Sequence, residues 1–212
     1  AYRYIRNAII LREMEPNEQI VEAWVADRTG LSRTPIRAAL KKLSYEGMVT
    51  IKPGKGAYVA NPSHQEIRDA YESRMLIETE AVRLACENIT DEEIGQLEHL
   101  VKRGMEHHAR KNYEDFLDIN HEFHMIIARA SKNSFYAKYI QELSVASDIY
   151  LLIYDDFRET ELSDMESFRE HERIVEALRE RNAERCVREM VRHTENTYYT
   201  LGLRLKLRTE KL

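Results

Sequence analysis

The chain has 212 residues, 43% apolar and 33% charged, enough to bury a real core in one large or two small domains and ordinary for a soluble globular protein. It holds no apolar run long enough to span a bilayer (about 18 residues) and no charged-then-apolar leader, so a cytoplasmic protein without membrane segments is expected, and a start at Ala1 instead of Met reads as a trimmed fragment. The net charge of −5 is uneven: residues 1–62 carry ten Lys and Arg against six Asp and Glu, and the remainder 22 against 31, so only the front is suited to meet a polyanion.

Seven of the eleven Gly and Pro residues fall within the first 60 positions, with Pro62 just beyond them, and long helical patterns follow. The expected domains are therefore residues 1–62 and 63–212. Spacing predicts a helix over 2–12 and another over 19–28, the latter with Ile20, Val21, Trp24 and Val25 on one side. After the break "TGLS", the segment "RTPIRAALKKLSYEG" has Ile36, Leu40 and Leu43 at helical spacing. Ser32 can cap this third helix, Pro35 suits its first turn and Gly47 its end. "MVTI" and "AYVA" then read as strands flanking "KPGKG", a hairpin with a basic tip. Two short helices joined by a tight turn and followed by a basic hairpin form the pattern of a winged helix-turn-helix. Arg33, Thr34 and Arg37 fall on the first turns of the second helix of that pair, where an arginine fork can bind guanine or bridge phosphates. Lys41, Lys42, Lys52 and Lys55 extend the basic surface.

Behind Pro62 the pattern is mainly α, with six helices expected near 63–88, 91–111, 113–131, 133–157, 164–181 and 183–207. "SHQE" and "TDEE" are capping boxes that mark two of the starts. The absence of a fixed repeat favours a bundle over a solenoid. Cys86 and Cys186, 100 residues apart, read as small buried hydrophobes in a reducing compartment.

Of eight histidines, His64, His99, His107 and His108 read as helix-end or surface residues. His171 and His193 lie on or beside the apolar stripes of "FREHERIVEAL" and "CVREMVRHTENT", and "NHEFHMII" places Asn120 and His124 one turn apart beside a core face. A lone histidine on such a face is ordinarily core packing. Three on separate helices each need a polar partner, and one shared cation can satisfy them all. Neutral imidazole suits zinc and nickel, and iron(II) or manganese also fall within the range considered. "HEFH" is not the zinc-protease spacing, since His121 and His124 are three apart. An alternative metal-dependent helical-bundle enzyme would have to use Glu122 or Glu172 as its base, and no nucleophile elbow or phosphate loop is present.

"LSRTPIRAALKKLSYEGMVTIKPGKGAYV" resembles the DNA-binding signature of the GntR family of bacterial transcription regulators. That resemblance implies that Ser32, Arg33, Thr34 and Arg37 contact operator DNA and that Gly54, Lys55 and Gly56 form the wing tip. The match departs at Ala23 and Asn17, where the family usually has Arg and Gly. "RMLIETEAVRLA", "DINHEFHMIIARASKN" and "HERIVEALRERNAERCVREMVRHTENT" are similar to the FCD effector domain of the FadR subfamily, and six helices fit its VanR-like branch. The resemblance implies a divalent metal on Asn120, His124, His171 and His193, with Asn120 replacing the commoner Asp and His121 outside the set. It also implies a small organic-acid effector paired with Arg74, for which a salt bridge to Glu78 is the bland alternative. Tyr71, Tyr150, Tyr154 and Tyr198 are candidate cavity residues that also suit plain packing. The expected protein is a homodimeric, metabolite-responsive regulator, and a repressor in sign.

Overall fold

The computed structural model describes residues 1–154 and 160–201, with the backbone alone for 152–154. The chain divides into two compact units, Ala1–Ser63 and His64–Leu212. The first holds α1 (Tyr2–Ile10), β1 (Gln19–Ile20), α2 (Glu22–Thr29), α3 (Arg33–Tyr45), β2 (Val49–Lys52) and β3 (Gly56–Val59). Ile5, Val25, Ile36 and Leu43 are fully buried and form its core. α3 ends as its sequence directs. Gly47 takes φ 81°, its N–H donates to the Ser44 carbonyl at 3.1 Å, and the Met48 N–H donates to the Leu43 carbonyl at 2.9 Å. This Schellman closure satisfies the carbonyls of Leu43 and Ser44 and turns the chain into β2.

The three strands run β1-β3-β2, all neighbours antiparallel, with Thr50 opposite Tyr58 across the hairpin. β1 corrects an expectation, because residues 19–20 are strand and the helix begins only at Glu22. The edge of β3 away from β2 needs backbone partners. Asn17 N–H donates to the Val59 carbonyl at 3.1 Å, and Val59 N–H donates to the Glu18 carbonyl at 2.9 Å. Asn17, standing where the resemblance expects glycine, supplies the required left-handed turn at φ 64°, a conformation that asparagine tolerates. Val21, expected on a buried side, is the N-cap of α2 and is exposed.

The second unit is all helix among its described residues: α4 (His64–Asn88), α5 (Asp91–Ala109), α6 (Tyr113–Ala130), α7 (Ser134–Tyr154), α8 (Glu166–Arg179) and α9 (Ala183–Thr200), with a 3-10 turn at Leu162–Asp164. The ends expected at 157 and 207 lie outside the described residues. α4 packs against α6, α7 and α9, while α8 packs against α5 and α9. The capping box at Thr90 forms in full, with Thr90 N–H donating to Glu93 Oε2 at 2.8 Å and Glu93 N–H donating to Thr90 Oγ1 at 3.1 Å. A Cβ on Gly104 would stand 3.1 Å from Phe168 Cε1, so glycine lets α5 and α8 close. His108 lies in the last turn of α5, where its helix-end reading puts it, and is buried against Tyr113, Phe116 and Phe168. Both cysteines are buried, and burial pushes the Cys186 thiol up.

Candidate functional site

The first unit presents a basic face. Ser32 is the N-cap of α3 in extended conformation and makes no capping bond with its side chain; Arg33, Thr34, Arg37 and Lys41 are exposed on the same helix. Arg37 is already held, its Nε donating to Glu22 Oε1 at 2.8 Å, so α2 orients it from the side. On the hairpin, Gly54, Lys55 and Gly56 are exposed at the tip, and Lys52 Nζ stands 4.3 Å from the centre of the Tyr58 ring. Gln19 of β1 donates to the Lys55 carbonyl at 2.9 Å and braces the tip.

In the second unit α6, α8 and α9 bring His124, His171 and His193 together. One nitrogen from each lies within 4.8 Å of the others, and all three residues are 5% exposed or less. His171 stacks on Phe123 at 4.0 Å between ring centres. Burial pushes His124 down to about 4 against the pull of Glu78, and burial together with the two neighbouring histidines pushes His171 well below its ordinary value. Both are therefore neutral imidazoles at pH 7, the form that coordinates a metal. Buried His124 Nε2 and His171 Nε2 have no hydrogen-bond partner among the described residues, and His124 Nδ1 lies 3.1 Å from Glu78 Oε2 without hydrogen-bond alignment.

Two carboxylates stand beside these rings: Glu170, which the sequence reading did not single out, and Glu78, which it named only as a salt-bridge partner for Arg74. Glu170 Oε2 is 2.9 Å from His193 Nδ1, a carboxylate acceptor that favours the proton on Nδ1, which in the neutral ring leaves Nε2 as the free donor to a metal. Glu78, 2% exposed, lies between His124 and Arg74, whose Nε donates to its Oε1 at 2.7 Å. Burial raises Glu78, but Arg74 and then His124 more than offset this and hold its carboxyl well below the usual range. The carboxylate bonded to His193 is the arrangement that orients a histidine for a metal, and Glu78 sets a negative charge beside His124. The partnerless nitrogens and this backing mean that the donor set fits a divalent cation.

A cavity of about 310 Å³ opens beside the cluster, lined by Arg74, Asn120, His124 and His193 among others. Asn120 is half-buried and also lines a much smaller cavity with His171. Arg74 is thus both buried in the ion pair with Glu78 and part of the cavity wall; the pair expected at the surface lies inside. Tyr71 and Tyr198 pack instead in an apolar cluster with Ile67 and Leu201, against which Tyr150 rests, and neither Tyr71 nor Tyr150 lines the cavity. The side chain of Tyr154 lies outside the described residues. His121 stays apart from the cluster. Glu122 pairs with Arg129 and Glu172 is exposed, so neither carboxylate considered as a base faces the cavity.

Bacterial regulatory proteins of the gntR family match residues 1–59, and the FCD domain matches residues 69–196. The chain belongs to the GntR family and carries an FCD domain. This GntR/FCD chain is 27% identical over 195 residues to the HTH-type transcriptional repressor RspR of Escherichia coli K12, covering 92% of the chain and 84% of the relative. It is 28% identical over 183 residues to the Nta operon transcriptional regulator of Aminobacter aminovorans, covering 86% and 84%. Its fold matches that of E. coli McbR/YncC with TM-score 0.75 at 19% identity, over 95% of this chain and 94% of that one. The GntR/FCD protein is accordingly a transcription regulator with an N-terminal winged helix-turn-helix and a helical FCD domain, a family whose members are not generally enzymes. No helix among the described residues is long and apolar enough to cross a membrane.

Proposed function

We propose that this regulator is a cytoplasmic homodimer that senses a small carboxylate through a metal-bearing FCD domain (63–212) and transmits its presence to operator DNA bound by the winged helix (1–62). The supporting observation is the convergence of three buried imidazoles, with Glu170 bonded to His193 and Glu78 close to His124, beside a cavity whose wall holds Arg74. His124, His171 and His193 would hold the metal, with Asn120 as an oxygen donor; zinc or nickel fits three imidazoles best. A cation bound there would offer its remaining positions to a carboxylate. Arg74, fixed by Glu78, directs its remaining N–H groups to the same anion and draws on the geometry of an arginine–carboxylate pair. Glu170 would keep the His193 ring in place, and Glu78 would add negative charge beside His124.

On the DNA side, Ser32, Arg33, Thr34, Arg37 and Lys41 would meet a major groove, with Lys52, Gly54, Lys55 and Gly56 reaching the neighbouring backbone. A two-fold dimer would set two such helices on successive half-sites. RspR is named a repressor, and we carry that sign to this chain.

The test has two arms. Metal analysis by mass spectrometry on protein purified without a His-tag is expected to find close to one divalent ion per chain, and a metal-free protein that zinc and nickel fail to stabilise would overturn the sensor half. Fluorescence anisotropy with the promoter regions flanking the gene, at stated salt, is expected to give salt-sensitive, sequence-preferring binding that Arg33→Ala and Arg37→Ala weaken. Unchanged binding in both variants would overturn the assigned DNA face.

A further inference from the structure

The outer face of α7 carries more apolar surface than the packing of this helix uses. α7 rests on α4 and α6, with Tyr136, Ala137 and Ile140 against Ala81, Met125 and Ala128. Its other side holds Phe135, Tyr139, Glu142 and Ala146, at spacings of four, three and four residues. That recurrence is the seam by which one helix interlocks with another. Phe135 and Tyr139 are 64% and 44% exposed with ring centres 6.3 Å apart, and Leu76 of the adjoining α4 is 75% exposed. Ile77, beside Leu76, packs into the same buried group as Tyr136, so the exposed side chains of the two helices belong to one surface of the second unit.

The residues of this seam select what covers it. Among the described residues Glu142 has neither a hydrogen bond nor an ion pair, and Lys138 Nζ stands 5.8 Å from the centre of the Tyr139 ring. A carboxylate within an apolar seam needs donors from the surface that covers it. A second copy of α7, antiparallel about a two-fold axis near residues 140 and 141, would bring them. Phe135 then lies over the partner's Ala146, a large side chain against a small one. Tyr139 comes opposite the partner's Glu142, where its hydroxyl can donate to the carboxylate, and Lys138 is within reach of the same group. A parallel pair would instead set Phe135 on the partner's Phe135 and Glu142 on the partner's Glu142, a like-charge contact across the seam. The face is complementary to itself in the antiparallel sense alone, which is the sense that a two-fold contact requires.

We propose that two copies of the chain meet along this face of α7, the helices antiparallel, with Phe135 over the partner's Ala146 and Tyr139 bonded to the partner's Glu142. This rests on the homodimer reading and gives it a surface and a register. The test is sedimentation equilibrium on the full chain. Lys138→Glu and Glu142→Lys are each expected to weaken the dimer about tenfold, because every substitution acts twice in a two-fold contact, and the two together are expected to return it to within about threefold of the parent. The register is read by cross-linking. Phe135→Cys with Ala146→Cys is expected to give a covalent dimer under mild oxidation, whereas either change alone leaves the paired sulfurs about 16 Å apart along the helices, too far for a disulfide. A disulfide from either single variant, no disulfide from the double one, or a charge exchange that fails to restore what the single reversals lose would overturn the inference. A dimer that none of these changes moves by more than twofold would overturn it too and leave the homodimer standing on another face. A parent chain that stays monomeric at tens of micromolar would overturn both.

Discussion

At the scale of single residues, the informative groups are the ones that support the histidines. Glu170 fixes the tautomer of His193, and a neutral amide in its place would keep the shape while weakening the hold on the ring. Glu170→Gln is expected to lower zinc affinity about 10- to 100-fold with the helical fold intact, measured by competition with a chromogenic chelator. An affinity within twofold of the parent would mean that the carboxylate serves packing alone. Glu22 plays a comparable part for Arg37 on the DNA face. Glu22→Ala frees the guanidinium and removes a negative charge near the phosphates, so affinity for random DNA is expected to rise and the operator-to-random ratio to fall in parallel titrations. The histidine set was legible from spacing and from the resemblance to FCD domains, but Glu170 was not picked out and Glu78 was named only as a partner for Arg74. Arg74 and Glu78 at i and i+4 look like any surface pair. The signal lay in the stripe of Ile67, Tyr71, Ala81 and Ala85, all buried on α4, on which both charged residues also fall. Glu170 shares its side of α8 with buried Ile174 and Ala177 in the same way.

Elements were legible where strong local rules agree. Pro35 and Gly47 bracket α3, and Thr90 with Glu93 opens α5, so these helices follow from their sequences. β1 did not, because two residues are too short to show alternation and Ile20 also fits a helical spacing with Trp24. What decided it was the backbone demand of β3, a tertiary effect absent from the local pattern. The closure of α3 can be tested directly. Gly47 occupies φ 81°, where a Cβ is strained, so Gly47→Ala is expected to destabilise the first unit by about 1 kcal/mol or somewhat more. Trp24 is the chain's single tryptophan and lies in that unit, so its fluorescence in a urea titration isolates the relevant transition. A lower midpoint by fluorescence, with the later loss of far-ultraviolet helical signal unchanged, is the expected pattern; an unmoved fluorescence midpoint would mean that the turn relaxes without cost.

At the scale of the whole molecule, sensing requires the two units to share one equilibrium. If the carboxylate changes operator affinity by some factor, operator DNA must change carboxylate affinity by the same factor, a reciprocity that two independent domains on one chain would not produce. A coupling of about 5- to 150-fold is typical of such proteins. Anisotropy of labelled operator with and without a saturating small carboxylate found by thermal-shift screening, and calorimetry of that carboxylate with and without saturating operator, are expected to return equal factors for the zinc-loaded protein. His124→Ala removes one imidazole from the cluster while leaving Arg33, Arg37 and the wing untouched. It is therefore expected to keep operator affinity within about threefold of the ligand-free parent and to bring the coupling factor to one. Loss of operator binding in that variant would instead make the metal cluster a structural support for the regulator, since the DNA face could not then be held without it. Retained coupling would remove the histidines from the sensing path altogether and leave Arg74, within the same cavity, as the group that reads the ligand.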